Sequence, residues 1–450
     1  MSQNHLPELA QDVVARALAG GASDAECTIA EGDEFTANVR MREIEQLKEA
    51  GSRAAGLRIL IGKNTGASYT SDLSREGIEQ LVKAAIELAD ITTEDPHAGL
   101  PEEGEFGSLT GDLGLYSADV EALETPFKID LAKRAEAAAF SADPRITNSE
   151  GASFDNHVGR HIFANSRGFS GEYRSSYCSL STVPVARDGE SMERDYWYTM
   201  ARGFGGLESP EDVGRTAAGR ALRRLNAVKA NTQKAPVVFE PRTARTLLES
   251  IFEAVHGMSV YRHESFLAGK LGEKVASDDL TLVDDGTIPG LFGTSPFDDE
   301  GVASRRTVVI DHGVLKSYLL NTYAARKLGM KTTGNASRGL TGNAGIGHGN
   351  FYVEKGVQTA EQIIAAIPNG FYVTELLGFG VNVVTGDYSR GAAGLWIRNG
   401  ELAFAVSEVT IAGNLKDMLL GLETIGSDLE FRGSVAAPTL KIGEMTVGGK

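Results

Sequence analysis

The residues in this 450-residue chain best suited to hydrolytic chemistry are His263 and Glu264, in the stretch VYRHESFLAGKLGEK from 260 to 274. A metal-assisted hydrolase needs neutral imidazoles around one ion, a further ligand, and a carboxylate to take a proton from bound water. On a regular helix, ligands four residues apart are offset by about 40° and face one ion. At five apart the offset is about 140°, so that spacing works only where the helix bulges. His263 offers one ligand and Glu264 one base, but Leu267 and Ala268 stand where a second histidine is needed. Spacing alone therefore gives half of a zinc-hydrolase motif.

The other candidates are scattered. His256 is seven residues upstream of His263, on the same helical face but about 10 Å along the axis, so the two rings share an ion only if the helix breaks at Gly257. His157 and His161, in FDNHVGRHIFAN, have four-residue spacing in a segment that reads as strands or a hairpin. Along one strand they would be about 13 Å apart, as surface polar residues. His348 lies in the glycine-rich GNAGIGHGNFYV, a loop able to approach a ligand closely, and His312 is a turn residue. The acidic run Asp298–Asp299–Glu300 has the chemistry to hold a cation or a substrate amine. Its position before Gly301 also suits turn initiation, with Asp accepting backbone N–H groups.

Cys27 and Cys178 are too few and too distant for a disulfide framework or a cysteine zinc site, and read as buried or semi-buried free thiols. The chain contains no phosphate-binding G-x-x-x-x-G-K-[ST], no G-x-G-x-x-G between a strand and a helix, and no G-x-S-x-G. Nucleotide binding and serine-nucleophile hydrolysis are thus unsupported.

Periodicity indicates the elements that must position these groups. Leu9, Val13, Val14 and Ala17 predict an amphipathic helix over 6–18, ended by Gly20–Gly21. Short alternating runs between 25 and 69, separated by Gly and Asp turn signals, predict a small antiparallel sheet. A helix capped by Ser74 follows, and TTEDPHAGLPEEGEFGSL reads as a solvated linker with a boundary near 105. A second α+β unit runs to about 228 and closes with a helix that has Pro210 at its start. Beyond it, a long helical stretch from Thr243 to Ala268 precedes β-rich sequence with two hairpins, one turning at His312–Gly313 and one at Asn399–Gly400. The expected fold is α+β, with domains at 1–105, 106–228 and 229–450. The last is β-rich, antiparallel and barrel- or sandwich-like.

Composition limits the function classes. Acidic residues outnumber basic ones 61 to 44, giving a net charge of −17, the wrong sign for neutralising nucleic-acid phosphates. The 53 glycines are about 12% of the chain against a usual ~7%, as many tight turns require. The N-terminal sequence has neither a basic n-region nor an apolar h-region, and no apolar run is long enough to span a membrane. A cytoplasmic protein is expected.

Two long stretches carry a resemblance: GTSPFDDEGVASRRTVVIDHGVLKSYLLNTYAARKLGMKTTGNA (293–336) and TELLGFGVNVVTGDYSRGAAGLWIRNGELAFAVSEVTIAGNLKDM (374–418). They resemble the TldD/PmbA family, in its PmbA (TldE) branch. In that family the TldD branch is similar to a zinc peptidase with H-E-x-x-x-H on a helix and a later cysteine ligand. It pairs with a PmbA branch that lacks these ligands, and the heterodimer trims small or unfolded peptides. The resemblance implies that His263 and Glu264 are a remnant, with Ala268 replacing the second ligand and no cysteine after Cys178. It also implies no metal or cofactor in this chain, zinc in a TldD-like partner, and peptide substrates. Two other readings remain open. One is a self-sufficient homodimeric peptidase in which His263 and Glu264 combine with His256, His348 or acidic residues. The other is a non-enzymatic peptide-binding or regulatory module.

Overall fold

The computed structural model describes residues 5–450. Apolar residues at helical spacing bury one side of α1 (Leu6–Ala19). The chain then forms a long hairpin of β1 (Asp24–Arg40) and β2 (Glu43–Ile61), followed by β3 (Asn64–Thr70). The turn signals expected near Gly32–Asp33 do not turn. Gly32 stays inside β1, paired with Ser52 on one side and Gly159 on the other. The actual turn is at Met41–Arg42, both with positive φ, where the Glu136 carboxylate accepts their two N–H groups at 2.9 and 2.7 Å. α2 (Arg75–Ile91) is capped as predicted, with Ser74 accepting from the Gly77 N–H.

The middle region contributes α3 (Ala118–Glu121), α4 (Thr125–Ala142), β4 (Ile146–Asn165), β5 (Ser170–Asp188), β6 (Ser191–Arg194), β7 (Trp197–Ala201) and α5 (Pro210–Leu222). Its strands continue the first sheet in the order β3-β2-β1-β4-β5-β6, with β7 also on β5. The hydrogen-bond ladder therefore crosses the segment near residue 105 without interruption. Helices cover one face in two groups. α1 and α2 pack over Ile29, Leu57 and Ile59, while α3 to α5 pack over Phe35, Phe154 and Leu180.

The C-terminal region begins with β8 (Gln233–Phe239), α6 (Pro241–Val255), α7 (Gly257–Tyr261), β9 (Leu282–Asp285), β10 (Arg306–Asp311) and β11 (Val314–Leu315). It continues with α8 (Thr322–Leu328), β12 (Ala336–Ser337), β13 (Gly345–Ile346), β14 (Asn350–Val353), α9 (Ala360–Ala365) and β15 (Asn369–Leu377). It ends with β16 (Asp387–Arg398), β17 (Glu401–Asn414), α10 (Leu415–Leu420), β18 (Leu422–Ile425), β19 (Val435–Ala436) and β20 (Leu440–Gly448). β17-β16-β15-β8-β20 close on themselves through the β17–β20 pairing, so the α+β class with a barrel in the C-terminal region holds. Both predicted turns are present: His312–Gly313 and Asn399–Gly400 each have two positive φ angles, as type I′ requires.

Two further expectations fail. The helix predicted from Thr243 to Ala268 breaks at His256, whose ψ of 120° is extended. A Cβ on Gly257 would lie 2.4 Å from Leu320 Cδ2, so only glycine lets the chain turn against α8 here. The supposed solvated linker is also a docked strap. Ala98 and Leu100 are buried beside Leu60, Tyr323 donates to Asp95 at 2.7 Å, and Arg326 donates to the Leu100 carbonyl at 2.6 Å.

Two buried ion clusters fix the C-terminal region to the sheet. Glu26, on β1, accepts from Arg58 of β2 at 2.9 Å and from Arg338 of the C-terminal region, while Arg58 also reaches Asn343 at 2.8 Å. Backbones meet beside it: a Cβ on Gly56 would overlap the Leu340 carbonyl. Farther along, Asp195 and Glu240 share Arg220 and Arg242, with Arg223 on Glu240 at 3.1 Å.

Burial alone would raise the Glu26 carboxyl, yet Arg338 and Arg58 hold it below its ordinary value of 4.5. A carboxyl depressed in the folded state stabilises fully above that value, and the stabilisation is lost as pH falls through the folded value. Glu26→Ala strands two buried guanidinium groups and is expected to cost about 3–5 kcal/mol. In urea unfolding, the gap from the parent chain should be full at neutral pH and close in acid.

Candidate functional site

The remnant expected at His263–Glu264 is not on a helix. α7 ends at Tyr261, His263 has φ +57°, and Glu264 is exposed beside Arg262 at 3.8 Å. Ala268 packs against the C-terminal core. His256 sits at the helix break, where burial lowers its basicity, with its ring edge-on to Phe252. His348 lies on the other side of Phe252 at 4.9 Å, with Nδ1 2.9 Å from the Gly349 carbonyl. His312 is a turn residue whose Nδ1 lies 3.1 Å from the Asp278 carbonyl.

His157 and His161 share one face of the single long strand β4, so the hairpin that would have brought them together does not form. His157 lies over Gly32 and Gly159 beside Tyr177. His161 packs on Tyr173, with Nε2 3.7 Å from Asp299. Cys27 and Cys178 are buried, and burial pushes both thiols up to about 12. Among the described residues, no group of three or more His, Cys, Asp or Glu side chains is arranged to hold a metal ion. A catalytic zinc needs three protein ligands, so these donors do not fit one.

The structure instead brings the acidic run together with residues that spacing did not single out. Asp298 is the turn former expected of it: it accepts the Glu300, Val302 and Ala336 N–H groups at 2.9 Å each. Burial, reinforced by Glu300, pushes it up to about 8. Glu300 is buried too, accepts from the Thr322 N–H, and is raised by the same burial. Asp299 accepts from the Arg338 N–H at 2.8 Å and faces a cavity of about 330 Å³ between the sheet and the C-terminal loops. Tyr173 and Arg202 line its sheet side, and Asp284, Asp299 and His348 its other side.

Asp284, like Asp298, is a strongly perturbed carboxyl facing this space. It ends the short strand β9, where an apolar run, LTLV, carries its acids inward. It is 3% exposed, accepts from Asn335 at 2.7 Å, and leaves Oδ1 without a hydrogen bond of good geometry. Burial pushes it up to about 7, against the pull of Asn335 and the nearby Gly349 N–H. Arg202 is half-buried. Its donors reach only the carbonyls of Ser176, Leu291 and Phe292, among the described residues no carboxylate pairs with it, and burial lowers its pKa.

A larger open trough of about 740 Å³ lies on the helical face, between the two helix groups. Its charges are matched, Arg160 with Glu172 and Arg174 with Glu121, as on a solvated surface. The smaller cavity has uncompensated charge, and chemistry concentrates where charge is uncompensated.

Comparison with known proteins places the chain. Residues 25–89, 118–225 and 232–449 match family models described as PmbA/TldA metallopeptidase domain 1, central domain and C-terminal domain. The metalloprotease PmbA of Escherichia coli O157:H7 is 39% identical over 96% of this chain and 94% of its own length. The chain belongs to the PmbA branch of the TldD/PmbA metallopeptidase family.

A solved structure from Bacteroides thetaiotaomicron, described as a candidate modulator of DNA gyrase, superposes with a TM-score of 0.93. It is 29% identical, and the match covers 100% of both chains. TldE from Thermococcus kodakarensis has the same fold, with a TM-score of 0.89 at 21% identity over 98% of this chain and 100% of its own.

Asp284→Asn tests the buried carboxyl. The folded chain holds this proton up to about 7 against an ordinary 3.8, so ionising it costs stability, increasingly as pH rises between those values. The Asn variant should match the parent near pH 4. Above pH 7 it should be more stable, by on the order of 2–4 kcal/mol in denaturant unfolding.

Proposed function

We propose that this chain is the non-catalytic subunit of a cytoplasmic zinc metallopeptidase, joining a TldD-like partner to complete a chamber for small or unfolded peptides. The observation that carries this reading is the donor geometry. Among the described residues, His263, His256, His348 and the acidic run form no group of three donors that could hold one ion. In this reading zinc belongs to the partner, and this chain binds neither metal nor cofactor. None of the described helices is long and apolar enough to cross a membrane, and the acidic charge suits a partner other than nucleic acid.

Two surfaces support a subunit role. The loop between β15 and β16 projects Leu377, Phe379 and Val384, of which Phe379 is fully exposed. An exposed apolar tip of this kind marks an interaction site. β3 pairs only with 55–61 of β2, so the outer edge of β2 before Ala55 is free to pair with an extended peptide or a partner strand. The closed barrel has fewer such edges to offer.

Mixing the chain with a TldD-like protein is expected to raise peptide hydrolysis at least tenfold over either component. His263→Ala should leave that rate within twofold, and Phe379→Asp should weaken co-elution in gel filtration. Loss of hydrolysis and of bound zinc in His263→Ala would favour the self-sufficient homodimer. An unchanged rate on mixing would favour the binding module.

A further inference from the structure

The interdomain cavity contains opposite charges that do not neutralise one another. Arg202 comes off the end of β7, its guanidinium over the Phe292 ring at 5.0 Å, with Nε lacking any partner. Its three hydrogen bonds go to neutral carbonyls, so its full positive charge has no counter-ion within ion-pair reach. Asp284 enters from β9 with one oxygen on Asn335 and the other near the Gly349 N–H without a well-aligned hydrogen bond, and among the described residues no basic side chain pairs with it. Asp299 lines the same cavity, one oxygen tied to the Arg338 N–H and the other facing His161, whose Nε2 also lacks a hydrogen bond.

A buried unpaired charge is costly, and the usual remedy is a direct salt bridge. Here the frame prevents one. The carboxylates are on the C-terminal loops, where the exposed Arg305 also lines the space, and the more buried Arg202 is on the sheet. The loops are packed backbone on backbone: a Cβ on Gly293 would lie 2.2 Å from the Gly349 carbonyl, and Asn350 ties Gly293 and Asp285 together. The two charged walls therefore face a space that neither can cross.

What fills such a space follows from its charges. An inorganic anion would suit Arg202 but meet two carboxyl groups, and a metal cation would meet Arg202. A molecule carrying a carboxylate at one end and an ammonium at the other satisfies both walls at once. The volume, about 330 Å³, is at the small end of ligand pockets.

We propose that this cavity binds a small zwitterion, a free α-amino acid or a dipeptide, with its carboxylate against Arg202 and its ammonium between Asp284 and Asp299. The proposal rests on the peptidase-subunit reading and deepens it: the ligand is the size of a product or of a peptide's end, and the site is built wholly within this chain. The perturbed groups agree with it. Burial without a partner holds the Asp284 proton on and weakens Arg202's hold on its own, and a zwitterion would reverse both.

Calorimetric titration of the full chain tests this, at a pH of about 8, above the value of about 7 to which burial pushes Asp284. The ligands are Ala-Ala, N-acetyl-Ala-Ala and Ala-Ala amide. The free dipeptide is expected to bind at least tenfold more tightly than either capped form. Arg202→Gln should abolish the preference over the amide only, and Asp299→Asn the preference over the acetylated form only, each with a melting curve showing that the variant folds.

No heat from Ala-Ala up to about 10 mM, or equal binding of all three ligands, overturns the proposal, and neither result depends on a variant. Dipeptide binding by a chain that leaves a TldD-like partner's hydrolysis unchanged supports the site and overturns the subunit reading. Stimulated hydrolysis without dipeptide binding overturns the site alone.

Discussion

One buried carboxylate, Glu26, holds two guanidinium groups from opposite sides of the molecule. Arg58 reaches it along the sheet and Arg338 from the C-terminal loops. A lone buried carboxylate is costly, and a triad is worth keeping where it fixes one arrangement of parts. Here it sets how the C-terminal region sits on the sheet. The register of that contact places Asp299 opposite His161 and Phe297 among Phe163, Phe169 and Tyr173, and the cavity is the gap left beside those contacts. The Asp195–Glu240 cluster repeats the device farther along, so the two parts are fixed at two points.

This frame makes the charged cavity tolerable. Asp284, Asp298 and Glu300 are all buried carboxyls raised by desolvation, and Asp298 and Glu300 are absorbed by backbone N–H groups that build turns. Asp284 keeps one oxygen without a well-aligned donor, and Arg202 meets only neutral carbonyls. Residues that break local rules at a cost in stability gather where a ligand is handled. By contrast, Arg262, His263 and Glu264 after α7 are exposed, with Arg262 beside Glu264 at 3.8 Å, before Ser265, Phe266 and Leu267 return to the interior, as in an ordinary connecting loop.

Local chemistry was legible in the sequence and non-local contact was not. The Ser74 cap, the Pro210 helix start and the turns at His312–Gly313 and Asn399–Gly400 are decided by neighbours within a few residues, and all form as expected. Gly32–Asp33 looks like a turn, but Gly32 is held straight by Ser52 and Gly159. The helix through Gly257 looks continuous but yields to Leu320. The strap around Leu100 looks solvated because its anchors, Tyr323 and Arg326, are more than two hundred residues away. For the site, the turn-forming role of Asp298 could be read from Gly301. Asp284 offered only acids at the end of an apolar run, and nothing near Arg202 in sequence indicates that its charge goes unpaired.

The account's central claim is that a PmbA-branch chain without a metal-binding set of donors works by completing a partner that has one. Native mass spectrometry of the chain, alone and mixed with a TldD-like protein, measures this most directly, because mass gives subunit and metal counts together. The account predicts no retained zinc in the chain alone and a one-to-one complex carrying a single zinc. Stoichiometric zinc in the isolated chain, or two zinc ions per complex, would contradict it.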